Sequence, residues 1–267
     1  MEKKFEKQSF KKRLKSMCKV DVRRTFTSPL FYIMVGIAFI VPILILVMTT
    51  MMDGMTTTNP QTNEVTVIEG FDNVWQIFGS VSGADAMMSM DLVSMCNINM
   101  IYFAIAVFVC LFVSDDFRSG YAKNLFTVRS GKVDYVCSKT LVGFICSAAM
   151  FLAFFVGALL GGGIASLPFT MDGFTEGNLV ACILSKIFIS LIYVGICVFA
   201  GVIGKQRAWL SMIVALGIGM LFFTMIPMVT PLDSTFIHVI LCFVGGVLFS
   251  FGLGFGSNLV LKKTSLV

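Results

Sequence analysis

Charge is what this chain has least of. Of its 267 residues 13% are charged and 57% are hydrophobic, whereas a soluble domain carries roughly 25% charged residues. With about half the charge needed to cover a globule in a solvated surface and a mean hydropathy of +0.91, a soluble fold is excluded. Histidine is nearly missing too. One residue, His238, with no HExxH and no paired glutamates, leaves no nucleophile–base pair, metal cluster or carboxylate pair for an intramembrane protease or a lipid-modifying enzyme. A phosphate cradle of the form GxxxxGK[ST] is also missing. The nearest fragment, Gly201-Val202-Ile203-Gly204-Lys205-Gln206, lacks its spacing and its hydroxyl, so the chain is not expected to bind ATP by that route. The eight cysteines contain no CxxC pair and at least five lie in apolar runs. They read as small apolar fillers rather than a disulfide framework or thiolate site. No cofactor, metal or nucleic-acid partner is expected, and the chain is not read as an enzyme.

What is present is a set of long charge-free runs: Thr25 to Met52, Leu92 to Ser114, Thr140 to Met171, Ile187 to Gly204, Ala208 to Leu232 and Ser234 to Leu261. A bilayer-crossing helix needs about 20 apolar residues, so six runs predict six spans. Strands of a membrane barrel would alternate apolar with polar; stretches such as FLAFFVGALLGGG do not. Backbone groups in lipid must bond internally, which leaves helices. The first run exceeds the apolar core of a cleaved signal peptide and is expected to remain a span.

The basic residues orient these helices. Ten of the twenty, Lys3 to Arg24, precede the first run. Arg118, Lys123, Arg129, Lys132 and Lys139 lie between the second and third, Lys205 and Arg207 between the fourth and fifth, and Lys262 and Lys263 after the sixth. The alternate loops, 53–91, 172–176 and 233, hold nine acids and no base, and the twentieth base is Lys186. By the positive-inside rule both termini are expected in the cytoplasm. The predicted architecture is an all-α polytopic membrane protein: a basic amphipathic interfacial helix over 1–28, then a six-helix transmembrane domain over 29–267. Spans are expected at about 30–52, 93–114, 140–165, 179–203, 208–228 and 237–260, with an outer loop at 53–91 and an inner loop at 115–139.

In the N-terminal segment Phe10, Leu14, Cys18, Val22 and Phe26 recur every four residues, with Met17 beside them and bases elsewhere. Such a helix lies in the membrane interface. The outer loop is too long for a plain connector. It shows turn chemistry at Asn59-Pro60, an alternating Val65 and Val67, and then Phe71, Val74, Trp75 and Phe78 at helical spacing, a small cap with Trp75 suited to the membrane surface. The Gly161-Gly162-Gly163 run is expected to weaken the end of the third span. Lys186, at the start of an 18-residue run, reads as a snorkelling side chain, with a place on a substrate path as the functional alternative. His238 reads as an interfacial polar residue.

The inner loop, SDDFRSGYAKNLFTVRSGKVDYVCSK, carries most information. Its acids stand beside Arg118 and Lys123, Ser114 or Asp115 is placed to cap a short helix and Ser130 to cap the third span, and Phe117, Tyr121, Leu125 and Phe126 need somewhere to go. Either they dock a soluble partner or they pack beneath the chain's own helix ends.

The basic N-terminal helix, six spans with both ends inside, and the loop motif DDFRSGYAKNL together resemble the permease subunit of ABC transporters of the type-2 exporter family. The motif of that family runs acid, aromatic, base, small residue, Gly, then a base before an apolar residue, and Asp116, Phe117, Arg118, Ser119, Gly120, Lys123 and Leu125 stand at those places. The acid is Asp where Glu is common, and Tyr121 stands where Thr is common. The resemblance implies a coupling helix seated on a separate ATP-binding cassette ATPase, with Asp115, Asp116, Phe117, Arg118, Gly120, Tyr121, Lys123 and Asn124 as coupling residues and the N-terminal helix as a second docking element. It also implies a second permease copy or paralogue, a plasma-membrane location, bacterial by default, and export of an amphipathic or hydrophobic substrate such as a peptide, antibiotic or lipid. The short connection between spans five and six argues against a lipid-linked glycan or sterol. A non-transporting anchor that recruits a cytoplasmic partner, and an ion-coupled carrier, are the other readings.

Overall fold

A computed structural model describes residues 9–58, 65–68, 70–81, 97–128 and 132–263. The described residues are overwhelmingly helical. Helix α1 (Phe10–Thr27) is followed by α2 (Pro29–Met52), α3 (Ile101–Arg118), α4 (Tyr121–Val128), α5 (Lys132–Ile164), α6 (Glu176–Gly204), α7 (Ala208–Val229) and α8 (Phe236–Lys263). Five of them, α2, α3, α5, α6 and α8, are long and apolar enough to cross a membrane. Helix α7 spans 22 residues, of which Ala208–Gly219 form its described apolar part.

Proline sets the first boundary. Pro29 disfavours helical backbone at the preceding residue, so Ser28 is extended at ψ 128°, and Pro29 opens α2 at a position where its missing N–H is not needed. The buried face of α1 is Met17, Asp21 and Thr25, packed on α5. The row Phe10, Leu14, Cys18, Val22, Phe26 lies beside that face and is exposed or half-buried, free to meet lipid.

Helix α6 is the axis of the bundle, touching α3, α5, α7 and α8. In its most apolar window 72% of residues are buried, against 22% in α2 and 17% in α8, which therefore form the periphery. Helix α5 does not weaken at its glycines. It runs on to Ile164 because Gly157 and Gly161 let it press against α2: an added Cβ at Gly157 would stand 2.1 Å from the Phe39 carbonyl oxygen, and one at Gly161 2.8 Å from Ile43 Cα. Small residues here permit close packing.

The outer segment folds onto the bundle. Thr56–Thr58 (β1) pairs antiparallel with Val65–Val67 (β2), and a 3₁₀ helix over Val74–Phe78 lies on Gly162 and on the α5–α6 turn. Trp75 is buried, its indole N–H donating to the Phe169 carbonyl at 3.2 Å. It is a core residue of the cap and not the lipid-facing anchor expected from its type. Asn59-Pro60 lies outside the described residues.

Candidate functional site

The expected inner loop at 115–139 is for the most part helix. Helix α3 continues through the expected loop start to Arg118, so Ser114 and Asp115 lie within its last turns and cap nothing. Helix α5 begins at Lys132, eight residues before the expected span, while Ser130 lies outside the described residues. The break that remains is Ser119-Gly120. Gly120 adopts φ +74°, a left-handed conformation that costs any L side chain roughly 1–2 kcal/mol, and this turns the chain into α4.

Burial divides the expected coupling residues. Asp115, Arg118, Lys123 and Asn124 are exposed, Tyr121 is half-buried, and Asp116 and Phe117 are buried. The apolar side chains of the segment pack beneath the chain's own helices: Phe117 and Phe126 meet the Tyr135 ring edge-on, at centroid distances of 6.4 and 5.3 Å. Tyr121 lies under the Arg24 guanidinium at 4.5 Å. The outward surface of α4 and its turn is therefore polar, with the bases Arg118 and Lys123 on it.

Asp116 is the hub of a buried ionic cluster. Arg24 Nη1 of α1 lies 2.7 Å from Asp116 Oδ1, and Lys139 Nζ of α5 lies 2.7 Å from Asp116 Oδ2 and 3.0 Å from Asp21 Oδ1. Ser138 Oγ donates to Asp21 Oδ2 at 2.6 Å. Asp116, Asp21 and Lys139 are fully buried. Two carboxylates, one ammonium and one guanidinium make the cluster neutral, which is the condition for tolerating buried charge. Burial opposes the Arg24 charge, but Asp116 and then Asp21 outweigh it and hold the guanidinium above its ordinary value. Lys139 also lies 3.7 Å over the Phe112 ring. A second pair, Arg13 Nε to Asp134 Oδ2 at 3.0 Å, ties the start of α1 to α5. The acids of the loop thus do not pair with Arg118 and Lys123. Asp116 reaches Arg24 and Lys139, and Asp115 stands 4.0 Å from Arg24.

Sequence reasoning missed Asp21, Arg24, Asp134 and Lys139 as parts of this site. One signal was available: Asp21 is the lone acid among the many bases of residues 10–27, and an isolated acid on an apolar flank implies a buried partner.

Lys186 does not begin its span. Helix α6 starts at Glu176, so Lys186 is a full ten residues inside it, 1% exposed. Its Nζ donates to Thr230 Oγ1 at 2.7 Å, and Thr230 is the C-cap of α7. The ammonium therefore sits at the negative end of a helix dipole instead of snorkelling to water. His238 stands in the first turn of α8, where Nδ1 accepts from the Thr235 backbone N–H at 3.1 Å.

Two clefts open at the same end as the ionic cluster. One of about 410 Å³ lies under the α1–α2 junction, between Arg24, Ser28, Phe108 and Asp115. The other, of about 480 Å³, lies between the α3–α4 turn and the α6–α7 turn. No family model, no curated protein and no solved structure matches this chain.

Proposed function

We propose that this chain is the membrane-spanning subunit of an ATP-driven exporter, coupled to a separate cassette ATPase and paired with a second permease copy or paralogue. In this reading α2, α3, α5, α6, α7 and α8 make six crossings, and both termini and the ionic cluster lie on the cytoplasmic side, where the bases concentrate. The observation that carries the proposal is the α3–Gly120–α4 element. Its inner face is held by Asp116, Phe117 and Phe126, and its outer face offers Asp115, Arg118, Lys123 and Asn124 to a soluble partner.

The division of labour follows from burial. Asp116 and Phe117 do not touch the ATPase; they are positioning residues that make α4 rigid with respect to α1 and α5. Movement imposed on the exposed face is then passed to α1 and α5 as one body, which is how rigid-body gating between two permease halves would be driven. The cargo is amphipathic or hydrophobic, and Lys186 is a contact for it if the α6–α7 seam opens during the cycle.

The test is gentle solubilisation from the native membrane, capture by a tag, and mass spectrometry of what comes with it. A stoichiometric nucleotide-binding partner, retained by the wild type and lost on Arg118→Glu/Lys123→Glu, supports the exporter. A stoichiometric partner with no nucleotide site supports the recruiting anchor instead.

A further inference from the structure

The larger of the two clefts shares Phe117, Arg118, Gly120 and Lys123 with the coupling element and adds the α6–α7 turn, which the coupling reading does not use. Its rim carries Arg118, Lys123, Lys205 and Arg207, and no acid lines it. None of these four side chains is in an ion pair among the described residues. The N-terminus of α7, capped by Arg207 with no side-chain hydrogen bond, adds the positive end of a helix dipole. Four cations around one cavity repel each other, and a low-dielectric wall strengthens that repulsion. An anion relieves it.

Apart from Gln206, the remainder of the lining carries no polar side chain. Ile203 and Leu210 belong to the last turn of α6 and the first turn of α7, and Ile203 is exposed together with Trp209 beside them. A pocket with cations at the helix ends and aliphatic side chains, Ile203 and Leu210, in the same lining matches an amphiphile with a charged head. Backbone geometry keeps the rim in place. Lys205 adopts φ +50°, a conformation that favours glycine, and the preceding Gly204 has no room for a Cβ, which would stand 2.1 Å from Ser211 Oγ. The tight α6–α7 turn therefore holds Lys205 and Arg207 at the mouth of the cleft at a conformational cost, as is usual where backbone strain serves a site.

We infer that this cleft binds an anionic phospholipid, with the head-group phosphate held by Lys205, Arg207, Arg118 and Lys123 and the acyl chains leaving over Ile203 and Leu210. The inference needs only that the helices are embedded in a bilayer and does not depend on the exporter reading.

Trp209, next to the cleft residue Leu210 in the first turn of α7, is 58% exposed, while Trp75, the other tryptophan, is 6% exposed in the cap at the opposite end, so quenching of the exposed indole reports lipid beside the cleft. The full-length chain is reconstituted without any ATPase into bilayers containing brominated phosphatidylglycerol or brominated phosphatidylcholine. Wild type is expected to favour the anionic lipid by up to about a thousandfold, four basic residues each contributing roughly 1 kcal/mol near a charged membrane surface. In Lys205→Gly/Arg207→Gln, whose first change also relieves the turn, the preference should fall about thirtyfold, with the Trp75 emission unaltered. Lys205→Arg/Arg207→Lys, which keeps the charge, should retain it. Equal quenching by both lipids in the wild type overturns the inference, as does an undiminished preference in the charge-removing variant. Loss of the preference on adding millimolar inorganic phosphate or an acidic peptide would show that the cleft takes a free anion or a protein partner, and this too overturns the lipid assignment.

Discussion

Asp116 is the residue on which most depends, because its two oxygens are shared by Arg24 and Lys139 in a fully buried setting. Replacing it by Asn leaves a buried ammonium with only Asp21 to balance it and a half-buried guanidinium with only the longer contacts to Asp21 at 3.9 Å and Asp115 at 4.0 Å. Breaking a buried pair by removing one partner costs about 3–5 kcal/mol. Asp116→Asn should lower the unfolding midpoint of the detergent-solubilised protein clearly, and Asp116→Asn/Lys139→Met should recover part of that loss because the stranded charge goes with it. A double variant no better than the single one would mean that the cluster is not energetically coupled. Lys186 predicts the opposite. Its ammonium donates to a neutral hydroxyl, Thr230 Oγ1, deep in the bundle. An isosteric apolar group avoids the desolvation of the ammonium, so Lys186→Met should leave thermal stability unchanged or raised. Transport assayed in the same variant then tells whether the amine serves the cargo.

Elements respond to backbone contact more than to charge. The α2–α5 seam is built on Gly157 and Gly161, and overpacking of such a seam costs roughly 1–3 kcal/mol. Gly157→Ala should therefore destabilise the protein in denaturant titration, whereas Gly163→Ala, where nothing lies within 4 Å of the new Cβ, should be indistinguishable from wild type. The turn at Gly120 is also open to a Cβ but strained for one, at φ +74°. Gly120→Pro, which cannot adopt positive φ, should abolish stimulation of the partner ATPase while membrane insertion and the Arg24–Asp116 contact survive. Unchanged stimulation would count against a coupling role for α4.

For the whole molecule, the proposed orientation puts the cap at Val74–Phe78 and the C-terminal end of α8 on opposite sides of the membrane. Single cysteines placed by Asp72→Cys and Lys263→Cys, both at exposed positions, in a background without the native thiols, test this. An impermeant maleimide applied to intact cells should label the first and spare the second. Labelling of both or of neither removes the six-crossing arrangement.

Chain composition alone made the membrane-type helical character of the protein legible, and with it the approximate places of α2, α6, α7 and α8. Transfer of apolar side chains out of water is close to additive along a sequence, so a long charge-free run declares itself without knowledge of its neighbours. The Ser28–Pro29 break was legible for the same local reason, since proline restricts its predecessor whatever surrounds it. Tertiary structure decided everything that depends on which helix ends meet. It carried α3 to Arg118 and started α5 at Lys132, because Asp116, Asp134 and Lys139 find partners on α1 and need not stand in water. It buried Trp75 beneath the α5–α6 turn, and it turned Lys186 into the cap of a neighbouring helix. The same holds for Lys205 and Arg207, distant in sequence from Arg118 and Lys123 until α3 and α6 pack side by side. Charge in a membrane-type protein is legible by count, whereas the partner of each charge is set by contacts between segments far apart in the chain.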